Sequence, residues 1–245
     1  MDQDIKIGTS GWMYDHWIER FYPEDIKKKS MLEWYSNQYS AVEINNTFYQ
    51  LPSIKSVKNW IDSVPKDFTF SVKASRYITH MKNLKDPQES TEKFFNVTKH
   101  FKQKLGVILF QLSPNWHLNY DRLKNFIEAL PKKYKYAIEL RHKSWYCEKI
   151  YGLLREHDIA MCFHDFHGEK SPLIITSDEL IYIRFHGSNG FYQHNYSGKT
   201  LDKWAIKIKK WIDEVRDIYI FFNNDAEANA IYDAKELKDK IRETF

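Results

Sequence analysis

Cysteine is scarce in this sequence: Cys147 and Cys162 are the only two in 245 residues, and they form no CxxC pair. Two isolated cysteines argue against a disulfide framework. Long hydrophobic runs are also missing. No segment approaches the roughly 18 apolar residues of a membrane-spanning helix, and MDQDIKIGTSGW lacks the basic and apolar regions of a secretory leader. Sequons such as that at Asn96 therefore carry little weight. Eight glycines and seven prolines form no linker, and no low-complexity tract marks a boundary. Charge of one sign is not in excess either, since 37 Lys+Arg against 33 Asp+Glu leave +4. Such a balance does not by itself indicate nucleic acid. These absences lead to the expectation of a cytoplasmic protein with no membrane partner and one undivided domain over residues 1–245.

What is present is a rhythm. Eight β-rich runs occur at residues 5–10, 41–48, 68–75, 106–112, 136–141, 159–165, 180–187 and 218–225. Between them lie helical patterns at 30–38, 53–64, 90–103, 119–130, 144–157, 199–215 and 226–241, with Ser30, Ser53 and Asn119 as candidate N-caps. Parallel strands need crossover helices, and eight βα repeats close a sheet, so the spacing predicts an α/β fold of the (β/α)8 TIM-barrel type. A doubly wound open sheet is the alternative, but GTSGW after the first run does not match its Gly-rich phosphate turn.

The strand ends carry the chemistry. On one parity the runs place Glu43, Asn45 and Thr47, then Lys73 and Ser75, Gln111 and Ser113, Glu139 and Arg141, Arg184 and His186, and Asn223 and Asp225. The opposite parity is mostly apolar, as in Val42, Ile44, Ile108, Phe110, Ile138 and Leu140. Inward-facing residues at the C-terminal ends of barrel strands form the floor of an active site. One polar residue there is commonly a satisfied core hydrogen bond, and a Glu–Arg–Lys network that only fixes register is the structural alternative. Six strands turning polar at one height favour a site. The loops that follow add Trp12, Tyr14, Trp17, Tyr49, Trp116, Trp145, Tyr146, Phe191, Tyr192 and Tyr196. Rim aromatics stack on sugars or bases, although about half of such residues are expected simply to pack.

With these residues in view, the chain resembles the domain-of-unknown-function 72 family, also called YecE-like. The matching stretches are GTSGW (8–12), VEINNTFYQLP (42–52), FSVKASRYITH (70–80), LFQLSP (109–114), IELRHKSW (138–145), YIRFHG (182–187) and FFNNDAEANA (221–230). The resemblance implies a TIM barrel whose cleft is lined by Glu43, Asn45, Lys73, His80, Gln111, Glu139, Arg141, Trp145, Arg184, His186, Asn223 and Asp225. It supplies no reaction, because the family's activity is not established; its shape is likened to endonuclease-IV-type and sugar-isomerase-type barrels. One departure is CFHDFH, where His164, Asp165 and His167 form a denser cluster than the family pattern carries.

Three chemistries compete. A metal-dependent phosphodiesterase would draw ligands from Glu43, Glu139, His164, Asp165, His186 and Asp225, yet no HxH or HExxH spacing occurs and three cationic side chains would repel the ion. No cofactor is therefore expected, with a divalent metal as the lesser possibility. A metal-free hydrolase would use Glu139 as general base with Glu43 as second carboxylate, His186 and Asp225 completing the catalytic set. Lys73, Arg141, Arg184 and His186 would hold an anion such as phosphate or a nucleotide. Arg141, two residues from Glu139, favours a base over an acid. Glu43 and Glu139 could instead form a glycosidase pair, or the site could serve a sugar isomerase. Binding of nucleic acid without catalysis is the third reading, from basic residues interleaved with aromatics. WAIKIKKW (204–211) is read as the solvated side of a helix, His100, His117 and His157 as surface residues, and Cys162 as a small core residue.

Overall fold

The computed structural model describes residues 4–165, 170–188 and 192–244. The expected alternation is present: β1 (Asp4–Thr9), α1 (Met31–Ser36), β2 (Ala41–Ile44), α2 (Ile54–Asp62), β3 (Thr69–Lys73), α3 (Pro87–Thr98), β4 (Leu105–Gln111) and α4 (Tyr120–Glu128). There follow β5 (Lys135–Glu139), α5 (Glu148–Glu156), β6 (Ala160–Met161), β7 (Phe163–His164), β8 (Leu180–Phe185), α6 (Gly198–Trp211), β9 (Asp217–Phe222) and α7 (Asn229–Thr244). All eight β-rich runs become strand. The sixth is divided at Cys162, so that β6 pairs with β5 and β7 pairs with β8.

Local chemistry sets the helix ends. Ser53 accepts from the Ser56 amide at 3.0 Å and Asn119 from the Arg122 amide at 3.0 Å, each satisfying one of the orphan donors of a first turn. Ser30 makes no side-chain cap. α3 begins at Pro87, three residues before the expected start, because proline's fixed φ suits the first helical position. Strand β2 stops at Ile44 rather than running to residue 48: Asn45 has φ −96 and ψ −26, and a 3-10 turn over Asn46–Phe48 follows. Among the described residues no helix is long and apolar enough to cross a membrane.

The described residues pack as two compact units. The first draws on Met1–Glu43, Phe163–Ser171 and Asp178–Phe245. Its sheet runs β1-β9-β8-β7, all parallel, with Ile7 opposite Ile220 and Ile183 opposite Ile220 on the other side. Ala230, Ala234, Leu237 and Ile241 recur at helical spacing on α7 and are buried where that helix meets β1, β9 and α6. Gly8 is required by close approach, since a Cβ there would lie 1.9 Å from the Ala41 carbonyl oxygen. On α6, Ala205 and Ile208 are buried while Lys207, Lys209 and Lys210 are exposed, the division expected of WAIKIKKW.

The second unit is Ile44–Cys162 with Pro172–Ser177. Strands β3, β4, β5 and β6 lie parallel in chain order, and the register sets Gln111 opposite Glu139 and Lys73 opposite Leu109. Phe70, Phe94, Phe101, Phe110 and Phe126 fill its core with no more than 1% exposure each. Each ring of this size stabilises the fold by about 1.5–3 kcal/mol when fully buried. Cys162 is buried, as expected of a small core residue. His117 is exposed and stacks on His142 at 4.0 Å, whereas His100 and His157 are half-buried.

Candidate functional site

In the first unit the polar strand ends build a closed cluster around Glu43. Ser10 Oγ donates to Glu43 Oε1 at 2.6 Å, the Tyr182 hydroxyl to Oε2 at 2.7 Å, and Arg184 Nη2 to Oε1 at 2.8 Å. Arg184 Nε adds a longer bond to the same oxygen at 3.2 Å. Both side chains of the ion pair are fully buried. Tyr182 shares the parity of Arg184 and His186, and Ser10 ends the first β-rich run, but neither was expected at the site, because a serine or a tyrosine in an apolar strand carries no mark of its own. A carboxylate so enclosed and so fully bonded is a frame member in this conformation.

Beside it, His186 is buried with 0% exposure, and its backbone amide donates to Asp165 Oδ1 at 2.9 Å. Its Nδ1 lies 3.2 Å from Asn223 Nδ2, and its ring meets Tyr192 edge-on with centroids 5.4 Å apart. The Tyr196 hydroxyl donates to Asp165 Oδ2 and accepts from the Gly187 amide at 2.8 Å. Burial pushes the Asp165 carboxyl up, and burial together with Asp165 pushes the Tyr196 phenol up. Asp165 therefore serves the turn after β8. His164 donates its backbone amide to Ser171 Oγ at 2.8 Å. His167, the third member of the cluster read from CFHDFH, and Phe191 lie outside the described residues. Among the described residues no three His, Cys, Asp or Glu side chains are placed to hold a metal ion.

Asp225 follows β9 and is half-buried; burial raises its carboxyl above the usual range. Its carbonyl oxygen receives Trp17 Nε1 at 2.9 Å and lies 2.8 Å from His16 Nε2. A cleft of about 400 Å3 is lined there by His16, Arg20, Tyr192, Gln193, Asp225 and Glu227. Tyr192, His194, Glu227 and Ala228 all adopt positive φ, between 56° and 64°. Such backbone strain costs on the order of 1–3 kcal/mol per residue and clusters at functional sites.

The second unit holds the other polar ends. Lys73, Gln111 and Glu139 are the last residues of β3, β4 and β5, and their register puts all three on one face. Glu139 is fully buried; Arg141 Nε donates to its Oε1, and Cys162 Sγ lies 3.9 Å from Oε2. Arg141 lies beyond the strand, so the pair closes across a strand end rather than along one. Asn45 is half-buried at the end of β2, and the Thr47 hydroxyl donates to the Lys73 carbonyl at 2.6 Å.

His80, named only through the family resemblance, is half-buried on a helical turn over Tyr77–Met81. Phe48 is shared by two neighbours: Lys73 Nζ sits 4.2 Å from its centroid and His80 meets it edge-on at 4.9 Å. Thr79 Oγ1 lies 2.8 Å from His80 Nδ1. The imidazole is pushed down to about 4, first by burial and then by Lys73, Arg141 and Arg76, with Glu139 only partly opposing them. This is a neutral histidine in a positive field. Phe48, as a platform for both groups, had no signal in the sequence.

Several expected rim aromatics are interior residues. Trp12, Trp145 and Tyr196 are 5%, 0% and 7% exposed, so their rings face protein rather than a ligand in this conformation. Trp145 Nε1 donates to the Trp116 carbonyl at 2.7 Å, and the Trp12 carbonyl accepts from the Tyr22 hydroxyl. Tyr192 and Tyr49 are the exposed ones, at 39% and 74%.

The chain matches the family described as Protein of unknown function DUF72 over residues 6–245. It is 24% identical to UPF0759 protein YunF of Bacillus subtilis (strain 168), covering 97% of this chain and 94% of that one. A crystal structure of a DUF72 family protein from Thermotoga maritima MSB8 is similar with a TM-score of 0.87 and 29% identity, covering 98% and 99% of the two chains. A xylose isomerase-like TIM barrel/4-hydroxyphenylpyruvate dioxygenase fusion protein is similar with a TM-score of 0.57 and 13% identity, over 100% of this chain and 44% of that one. That likeness concerns the fold alone, which is α/β of the TIM-barrel type. With the family pattern present from the first strand to the last helix, the chain belongs to the DUF72 family.

Proposed function

We propose that this protein is a hydrolase-like enzyme acting on an anionic substrate, a phosphoester or a nucleotide, at the C-terminal ends of strands β3, β4 and β5. The supporting observation is the field at His80. Burial first, and then Lys73, Arg141 and Arg76, hold that ring below the usual histidine range, with Glu139 opposing them. Three cations, one exposed, one half-buried and one buried, outnumber that carboxylate and favour an anion, which would form charge-assisted hydrogen bonds with them.

In this reading Lys73 and Arg141 hold the phosphoryl oxygens and Gln111 orients the group. Glu139 is the base. Its Oε1 is occupied by Arg141 in the free protein; an incoming anion competes for that guanidinium and frees the oxygen to take a proton from water. In this reading Glu43 and Arg184 belong to the frame, because Ser10, Tyr182 and Arg184 already donate to the two Glu43 oxygens. A divalent metal enters only if a substrate brings it.

A sugar-processing reading has one observation in its favour. A groove of about 440 Å3 in the second unit is lined by Asn46, Tyr49, Gln50, Ser53, Ser56 and Trp60, with no charged side chain. A panel of aryl phosphomonoesters and diesters, nucleotides and aryl glycosides separates the two. The expected result is turnover of a phosphoester that Glu139→Gln lowers by roughly 10²–10⁴-fold in kcat, the usual range for a general base. Equal rates for wild type and Glu139→Gln on every active substrate would sink the assignment. Turnover of aryl glycosides alone would favour the sugar reading.

A further inference from the structure

The first unit contains a second cleft, between α1 and α7, that none of the strand ends reaches. It encloses about 460 Å3, within the range of small-molecule sites. Four cations line it, Arg20, Lys235, Lys238 and Arg242, against one carboxylate, Asp239. Lys235 already pairs with Asp239 at 2.6 Å. Arg20, Lys238 and Arg242 have no ion-pair partner among the described residues. Lys238 Nζ instead donates to the Gln38 carbonyl at 3.1 Å. Burial and the neighbouring Arg242 hold its ammonium below the usual lysine range, with Asp239 opposing.

The same cleft presents flat rings. Trp34 and Tyr232 are 39% and 47% exposed. Each is fixed at its polar end, Trp34 Nε1 on the Phe21 carbonyl and the Tyr232 hydroxyl on the Arg20 carbonyl, both at 3.1 Å. Tyr39 is fixed likewise, its hydroxyl donating to the Ile231 carbonyl at 2.6 Å. On α7, residues 232, 235, 238 and 242 recur every three or four positions, so one helix face carries a ring followed by three cations. The opposite stripe, Ala230, Ala234, Leu237 and Ile241, is buried. Rings anchored at their edges next to unpaired cations suit a ligand with an aromatic plane and an anionic tail.

We propose that the α1–α7 cleft is a second ligand site, for a small organic anion of the nucleotide class. The cations take the phosphate and Trp34 or Tyr232 the base.

The test is a fluorescence titration of the full chain with adenosine monophosphate, with adenosine and inorganic phosphate as separate arms. Saturable quenching is expected, lost in Trp34→Phe and weakened about tenfold or more in Lys238→Ala/Arg242→Ala, the loss typical of a charge-assisted bond. Adenosine alone and phosphate alone should each bind more weakly than the nucleotide. Because the site at β3, β4 and β5 is itself read as taking a nucleotide, the α7 and Trp34 substitutions are compared in a Lys73→Ala background, where nucleotide held at that site is weakened and the remaining quenching reports the α1–α7 cleft. The proposal is overturned by absence of saturation up to ~5 mM nucleotide, or by quenching that survives both α7 substitutions. It is also overturned if a single-stranded oligonucleotide binds where the mononucleotide does not. Circular dichroism of the exposed-surface variants checks that they fold.

Discussion

At the scale of single residues, the two glutamates have different standing although each lies beside an arginine. Both are fully buried, but Glu43 takes donors on both oxygens from Ser10, Tyr182 and Arg184. Removing one member of such a pair leaves a buried charge uncompensated, which costs about 3–5 kcal/mol. Arg184→Met is therefore expected to lower stability in urea unfolding by that order; a loss below ~1 kcal/mol would show that the pair is not structural. Glu139 was legible from the sequence because Glu139 and Arg141 break an apolar run two residues apart. The bond between them survives even though the strand ends at Glu139. What period-two reasoning could not supply is enclosure. It placed Glu43, Glu139 and His186 on the polar parity, but whether such a side chain faces solvent or, as Glu43 does, a tyrosine from another strand depends on packing.

At the scale of elements, the alternation of β-rich and helical runs was readable nearly everywhere, and the departures have local causes. The sixth run changes partner at Cys162, where β6 ends and β7 begins. Hydrophobicity reports a buried strand on both sides of that point and is blind to which neighbour each half pairs with. Replacing Gly8 with alanine should disrupt β1 strongly, because the new methyl group would meet the Ala41 carbonyl. Thermal unfolding measures this, and a fully stable Gly8→Ala would contradict the close approach.

Helix α7 is tied to the chain before α6 by Asp233, which accepts from the Tyr196 amide at 3.2 Å and from Asn224 Nδ2 at 2.7 Å. Burial raises the Asp233 carboxyl to about 6. A folded value above the unfolded one means that the stabilising contribution is complete below the unfolded value of 3.8 and is lost as pH rises towards 6. Asp233→Asn should remove that part of the pH dependence between these limits, seen as the difference between variant and wild-type stability. If the difference is flat with pH, the carboxyl is not raised. His80 acts in the opposite direction: its value is depressed, so its contribution is present above 6.5 and lost as pH falls towards 4.

At the scale of the whole molecule, 245 residues with eight β-rich runs and no linker led to the right fold class, α/β of the TIM-barrel type. The bulk charge of +4 was uninformative, because the positive field that matters is local. Lys73, Arg76 and Arg141 are dispersed over 69 positions of sequence and converge on one ring. The family resemblance put His80 among the cleft residues, yet its neutrality follows from burial and from those cations, which no motif displays. The most direct measurement is an NMR titration of the His80 ring, identified by its loss in His80→Gln, with and without saturating inorganic phosphate. The expected value in the free protein is about 4, rising when phosphate joins Lys73 and Arg141. A free value near the ordinary 6.5, or one that phosphate does not move, would contradict an anion site at the ends of β3, β4 and β5.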